Sequence, residues 1–260
     1  MTASCTVVVP CFNEAARLDP ALLDALVDEA DVRVLAVDDG SADETLALLD
    51  KLAAAQPERL AVLALATNHG KGEAVRRGLL DAIASGAELV AYCDADFAAP
   101  PGEVARLVAT LRADPGTDAV LGSRVALLGS DIERSIFRHY TGRLFATAGS
   151  VVLRAPVYDT QCGAKAFRVT EPLRRALATP FISRWAFDVE LIGRLLQQRD
   201  HQGRHGRLVE LPLRRWREPG GSKLTIASRL RAAVDLVRIG RALRRSGRST
   251  DGLDEEGDRA

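Results

Sequence analysis

Five short aliphatic runs, Thr6 to Val9, Val32 to Val37, Leu60 to Ala66, Leu89 to Cys93 and Ala119 to Gly122, punctuate the first half of the chain, and the stretches between them are helically spaced. Leu18, Leu22 and Leu26 fall three to four residues apart, as do Thr45, Leu48, Leu49 and Leu52. Strands that are apolar throughout, rather than alternating, are buried on both faces. Strands separated by helix-length crossovers pair in parallel. The pattern therefore predicts an α/β domain, a mostly parallel twisted sheet with helices on both faces and a Rossmann-like first half. With 260 residues and 47% hydrophobic content, the chain is long enough for one sizeable core.

The chemistry concentrates in the turns that follow the strands. Asp94-Ala95-Asp96 leaves the Leu89–Cys93 run, and Pro100-Pro101-Gly102 then breaks the chain away from the sheet. Two carboxylates at the carboxyl edge of a parallel sheet can hold Mg²⁺ or Mn²⁺, and an ion with so few protein ligands shares itself with substrate phosphates. An Asp-x-Asp pair alone also suits a solvated turn. Asp38-Asp39-Gly40-Ser41 ends the second run; Ser41 can cap a helix, while Asp39 is available to accept from a ligand N–H such as a uracil imide. Gly70-Lys71-Gly72 opens a helix with backbone amides and one cation, which suits an anion. Neither a Walker loop nor a dinucleotide fingerprint is present, because Val75 stands where a third glycine belongs.

Composition narrows the partners. Lys plus Arg and Asp plus Glu are each 35, so nothing suggests a nucleic-acid partner. Cys5, Cys11, Cys93 and Cys162 form no paired metal motif and are expected to be reduced core thiols. No apolar run approaches the roughly 18 residues of a membrane span, and the first strand starts without a leader, so a cytoplasmic protein is expected. His201 and His205 lie in a polar, glycine-containing run and are expected on a surface loop.

Taken in order, Val8-Val9-Pro10-Cys11-Phe12-Asn13-Glu14, the Asp-Asp-Gly-Ser turn, Asn68 to Gly72 and Asp94-Ala95-Asp96 resemble the inverting GT-A glycosyltransferases of family 2. Leu121 to Arg124, Asp159 to Phe167, Arg184 to Glu190 and Trp216 to Lys223 extend the resemblance, which is greatest to the dolichyl- or polyprenyl-phosphate β-glucosyltransferases. It implies that Pro10, Phe12 and Glu14 contact the nucleoside of a UDP-glucose-like donor, with Asp39 on the base and Lys71 nearby. It also implies that Asp94 and Asp96 bind the metal and diphosphate, and that Arg124 and Arg138 hold a polyprenyl-phosphate acceptor. Arg134, Lys165 and Lys223 are further cations within reach of such an acceptor, and Gln161 stands beside them. Asp159 is the candidate base or sugar-orienting group, with Asp188 and Glu190 as candidate sugar contacts. A hydroxyl acceptor would need that base; a phosphate would need cations instead. A soluble hydroxyl acceptor, or a sugar-1-phosphate nucleotidyltransferase, are the enzymatic alternatives.

Two amphipathic stretches complete the reading. From Glu133 to Leu153, Phe137, Tyr140, Leu144, Ala148 and Val151 form an apolar stripe. From Lys223 to Arg248 eight basic residues face one acidic, beside Ile226, Leu230, Ala233, Val234 and Val237. That composition predicts a helix on an anionic membrane surface, at the cytoplasmic face, or else packed on its own domain. The expected organisation is a GT-A domain over 1–223, the basic helix over 224–246, and a disordered acidic tail over 247–260.

Overall fold

The computed structural model describes residues 4–133, 136–198, 206–217 and 226–257. Arg134, His201, His205, Lys223 and the expected 223/224 boundary lie outside the described residues. Strands and helices alternate as β1 (Cys5–Cys11), α1 (Pro20–Ala30), β2 (Arg33–Asp38), α2 (Thr45–Ala55), β3 (Leu60–Ala64), α3 (Lys71–Ala84), β4 (Leu89–Cys93), α4 (Pro101–Ala113) and β5 (Ala119–Ser123). The second half adds β6 (Asp131–Glu133), α5 (Ile136–Leu153), β7 (Ala164–Arg168), α6 (Glu171–Leu177), α7 (Phe187–Gln197), β8 (Leu208–Pro212), β9 (Arg215–Arg217) and α8 (Ile226–Gly257).

Local chemistry sets the helix ends. Asp19 accepts from Ala21 N at 3.0 Å and Pro20 opens α1, a side-chain cap followed by a residue whose missing N–H costs nothing there. Gly70, at φ 96°, turns the chain into α3. Seven strands form one sheet in the order β3-β2-β1-β4-β7-β5-β8, with β7 antiparallel to both neighbours and the other pairings parallel. Val7 and Val9 face one apolar layer with Leu26 and Leu107, while Val8 faces the other with Leu79 and Leu191. That two-sided burial is why the strands read as continuous apolar runs.

α8 packs on its own domain, one of the two placements expected for the basic helix. Leu236, Ile239 and Leu243 pack with Ala186 and Val189, so the helix belongs to the domain's own core through one apolar stripe. It also runs to Gly257, into the segment expected to be a disordered tail. Once nucleated, a helix gains one hydrogen bond for each residue added, whatever the sign of its charges. Among the described residues no helix is long and apolar enough to cross a membrane.

Candidate active site at the carboxyl edge of the sheet

From β1 the chain steps to β2 in one direction along the strand order and from β4 to β5 in the other, so their neighbouring carboxyl ends form the switch point where open α/β sheets bind ligands. The β1 tip carries Pro10 to Glu14, the β2 tip Asp38 and Asp39, and the β4 tip Asp94 to Asp96. Because β7 is antiparallel, it begins at the edge where β4 ends. Cys93 pairs with Ala164, and Asp94 N donates to Gly163 O at 3.0 Å. β5 ends at the same edge and delivers Arg124. One reversed strand thus brings the Asp159–Gly163 segment beside the Asp94 pair.

Asp94 and Asp96 sit in a tight turn. Phe97 N donates to Asp94 O at 3.0 Å, and Phe97 itself is left-handed at φ 45°, the kind of backbone strain that collects at working sites. Asp96 accepts from Ala98 N at 3.1 Å; burial, then the nearby Asp94 charge, raises its pKa. The Asp94 carboxylate lies over Gly163, where any Cβ would overlap it. Two crowded carboxylates in a largely buried turn fit a hard divalent cation, whose charge would relieve their repulsion. Among the described residues no third His, Cys, Asp or Glu joins them. Lys71 Nζ lies 2.6 Å from Asp94 Oδ1 at the start of α3. Burial alone would lower its pKa, but Asp94, Asp188 and Asp96 outweigh burial and raise it.

At the tips of β1 and β2, the two loops are stitched together. Ser41 Oγ accepts from Asn13 N at 3.0 Å, and Asn13 Oδ1 accepts from Ala42 N at 2.9 Å. Phe12 is 38% exposed, while Pro10 lies in register with Val37. Glu14 receives Arg17 Nε at 2.9 Å. Sequence pattern does not single out Arg17; the Asp96 charge acts on it, which places a second cation near the Asp94–Asp96 turn. Its only signal is its place three residues after Glu14. Asp39 accepts from His69 N at 2.8 Å, Gly70 N at 2.7 Å and Asn68 Nδ2 at 3.1 Å, so its carboxylate staples the turn before α3. Asp38 Oδ1 is instead the buried oxygen with no hydrogen-bond partner among the described residues.

On the opposite side, Arg124 grips Asp159 with two hydrogen bonds, Nε to Oδ2 at 2.7 Å and Nη2 to Oδ1 at 2.8 Å, and its backbone N adds a third at 3.0 Å. Trp216 lies under the guanidinium at 5.5 Å. Burial would raise the Asp159 pKa, but Arg124 overrides it and holds the carboxyl well below the usual range. Glu210 accepts from Tyr158 N at 2.7 Å and Asp159 N at 2.9 Å, fixing the loop from β8. Ser123 Oγ, Thr160 Oγ1 and Gln161 Nε2, flanking this pair in sequence, are buried with no partner among the described residues. The Arg138 side chain lies outside the described residues.

Three expected contacts are placed elsewhere. Lys165 is fully buried and donates to Cys162 O at 2.5 Å and Asp188 Oδ1 at 2.7 Å; Tyr92 OH also donates to Asp188. Strand alternation sends Lys165 into the buried layer beside Tyr92. Asp188 is thereby consumed as its counter-ion. Glu190 accepts from Ile182 N at 2.7 Å and Arg194 Nη2 at 2.6 Å, holding the loop before α7. Lys165→Met is expected to cost about 3–5 kcal/mol, because Asp188 is left buried and unpaired. Lys165→Met with Asp188→Leu should recover most of it; chemical denaturation of both variants measures the difference.

Residues 6–170 match the family model described as glycosyl transferase family 2. A dolichyl-phosphate beta-glucosyltransferase from Trichomonas vaginalis is 32% identical over 248 residues, spanning 90% of this chain and 70% of that protein. One from Dictyostelium discoideum is 33% identical over 253 residues, spanning 90% and 73%. Among solved structures, glucosyl-3-phosphoglycerate synthase from Mycobacterium tuberculosis, in complex with Mn²⁺, UDP and glucosyl-3-phosphoglycerate, aligns with a TM-score of 0.61 at 22% identity. That alignment covers 91% of this chain and 80% of the other. The α/β architecture expected from the sequence is the GT-A fold of this neighbour.

Proposed function

We propose a specific chemistry for a chain that belongs to glycosyl transferase family 2: it moves glucose from UDP-glucose to a polyprenyl phosphate, with inversion at the anomeric carbon. The observation that carries the choice of acceptor is the Arg124–Asp159 pair. A hydroxyl nucleophile needs a base, and Asp159, held ionised by a guanidinium, is a poor one. A phosphate, with a second pKa near 6, is already anionic and needs a cation to orient it. The names of the two relatives, both dolichyl-phosphate β-glucosyltransferases, support this acceptor and sugar. The UDP and Mn²⁺ of the structural neighbour support the donor class and the metal.

Asp94 and Asp96 would hold a divalent cation, Mg²⁺ or Mn²⁺, which would supply the positive charge that a leaving diphosphate needs. The chain supplies the rest. Phe12 and the β2 tip take the nucleoside, and Lys71 at the α3 N-terminus adds charge beside Asp94. Arg124 holds the acceptor so that a phosphate oxygen attacks the anomeric carbon opposite the departing UDP. The new bond is sugar to phosphate, the broken one sugar to diphosphate, and no proton need be removed. The reaction belongs at a cytoplasmic membrane face, where a soluble donor meets a lipid acceptor.

A donor screen tests the reading. Purified protein, Mg²⁺ or Mn²⁺ and a polyprenyl phosphate should yield lipid-linked sugar on thin-layer plates with UDP-glucose, and little with UDP-galactose or GDP-mannose. Glucose transfer to 3-phosphoglycerate with none to lipid would replace it with the soluble-acceptor reading.

A further inference from the structure

The loop before α7, beside the start of α3, leaves large apolar side chains in solvent. Ile182 is 44% exposed and Trp185 49%. The loop is fastened to the site side: Arg184 O accepts from Gly72 N at 3.1 Å, and the Arg184 side chain crosses Gly70, next to Lys71. It is equally fastened to α8, where Ser183 Oγ donates to Asp235 Oδ2 at 2.7 Å and Ala186 packs with Leu236.

α8 spends Leu236, Ile239 and Leu243 on the core, yet Val234 and Val237 remain 51% and 52% exposed. Arg231, Arg238 and Arg241 stand three or four residues from these valines along that outward face and are exposed too. Single exposed apolar residues are ordinary, whereas four on two fastened elements, interleaved with arginines, make a patch. Its positive charge selects a negative partner, and its exposed apolar side chains select one that accepts them without a pocket.

We propose that the 182–185 loop and the outward face of α8 form one docking surface for an anionic lipid bilayer, with Trp185 at headgroup depth. The surface rests on the lipid-acceptor reading for its use: it sets the candidate site against the membrane that carries the acceptor. The binding itself needs neither donor nor sugar transfer.

Trp185 provides its own reporter, because the only other tryptophan, Trp216, is 7% exposed. The full chain would be mixed with vesicles of phosphatidylcholine, with or without phosphatidylserine, carrying brominated acyl chains. Anionic vesicles should quench tryptophan emission and pellet the protein at low salt, with both effects fading at high salt. Trp185→Phe should abolish the quenching and keep the pelleting. Arg231→Ala with Arg238→Ala should weaken partitioning by roughly 30-fold, about fivefold for each cation near such a surface. Pelleting without Trp185 quenching, equal partitioning to neutral vesicles, or no lipid binding would each overturn the proposal. Concentration-dependent dimers in sedimentation velocity, lost in Trp185→Ala, would give the face to a second copy. A chain that binds vesicles as described but makes no lipid-linked sugar would sink the acceptor reading and leave the surface standing.

Discussion

Asp96→Asn is expected to lower sugar transfer by at least about 10²-fold, the scale of losing one main electrostatic stabiliser, while the fold survives. Asparagine keeps an oxygen to accept from Ala98 N, so the turn retains its hydrogen bond. It removes one of two like charges that crowd each other in the turn, so thermal stability without metal should hold or rise. Activity and stability then move in opposite directions, which a merely structural aspartate would not produce. Among the described residues no group of three or more His, Cys, Asp or Glu could hold the ion in place of the pair. Initial rates with UDP-glucose, alongside thermal unfolding of the apo protein, measure both. Near-normal turnover of the variant, or wild-type activity in excess EDTA, would remove the pair from its role.

Much of this turn is legible in the amino-acid sequence, and the reason is physical. A buried parallel strand must be apolar throughout, so the first polar residues after it mark the sheet edge, and β1, β2 and β4 are found this way. β7 is not. It carries Lys165 among alanines, and sequence pattern gives elements without ordering them in the sheet, so nothing signals a strand inserted backwards between β4 and β5. Charges next to apolar residues are the second blind spot. Lys165, Asp188 and Glu190 look like site residues because buried ion pairs and active sites share that signature. Asp39 is favoured over Asp38 by its place at the strand tip; only the folded turn shows that Asp39 accepts from the His69 and Gly70 amides while Asp38 Oδ1 has no partner among the described residues. On α8 the sequence shows one apolar stripe where two exist, since Leu236, Ile239 and Leu243 are offset around the helix from Val234 and Val237.

Which nucleophile the site serves is decided by how Arg124 and Asp159 fail. A phosphate acceptor predicts that Arg124→Ala raises the lipid KM by about 10- to 100-fold, the range of a lost charge-assisted hydrogen bond. Asp159→Asn should then act through the same parameter, because the clamp on Arg124 loosens while the ionised nucleophile still needs no base. A hydroxyl acceptor predicts the reverse: Asp159→Asn loses about 10²- to 10⁴-fold in kcat, the value of general base catalysis, and Arg124→Ala is mild. One confounder is built into the pair. Arg124→Ala strands a buried carboxylate, which destabilises the loop for reasons unrelated to binding. The double variant, Arg124→Ala with Asp159→Asn, removes that penalty, and the thermodynamic cycle separates the two effects. If the double variant keeps kcat near that of Asp159→Asn and retains the high lipid KM of Arg124→Ala, the arginine binds the acceptor directly. If its KM returns to the wild-type value, Arg124 serves only to hold Asp159, and the phosphate reading loses the observation on which it stands.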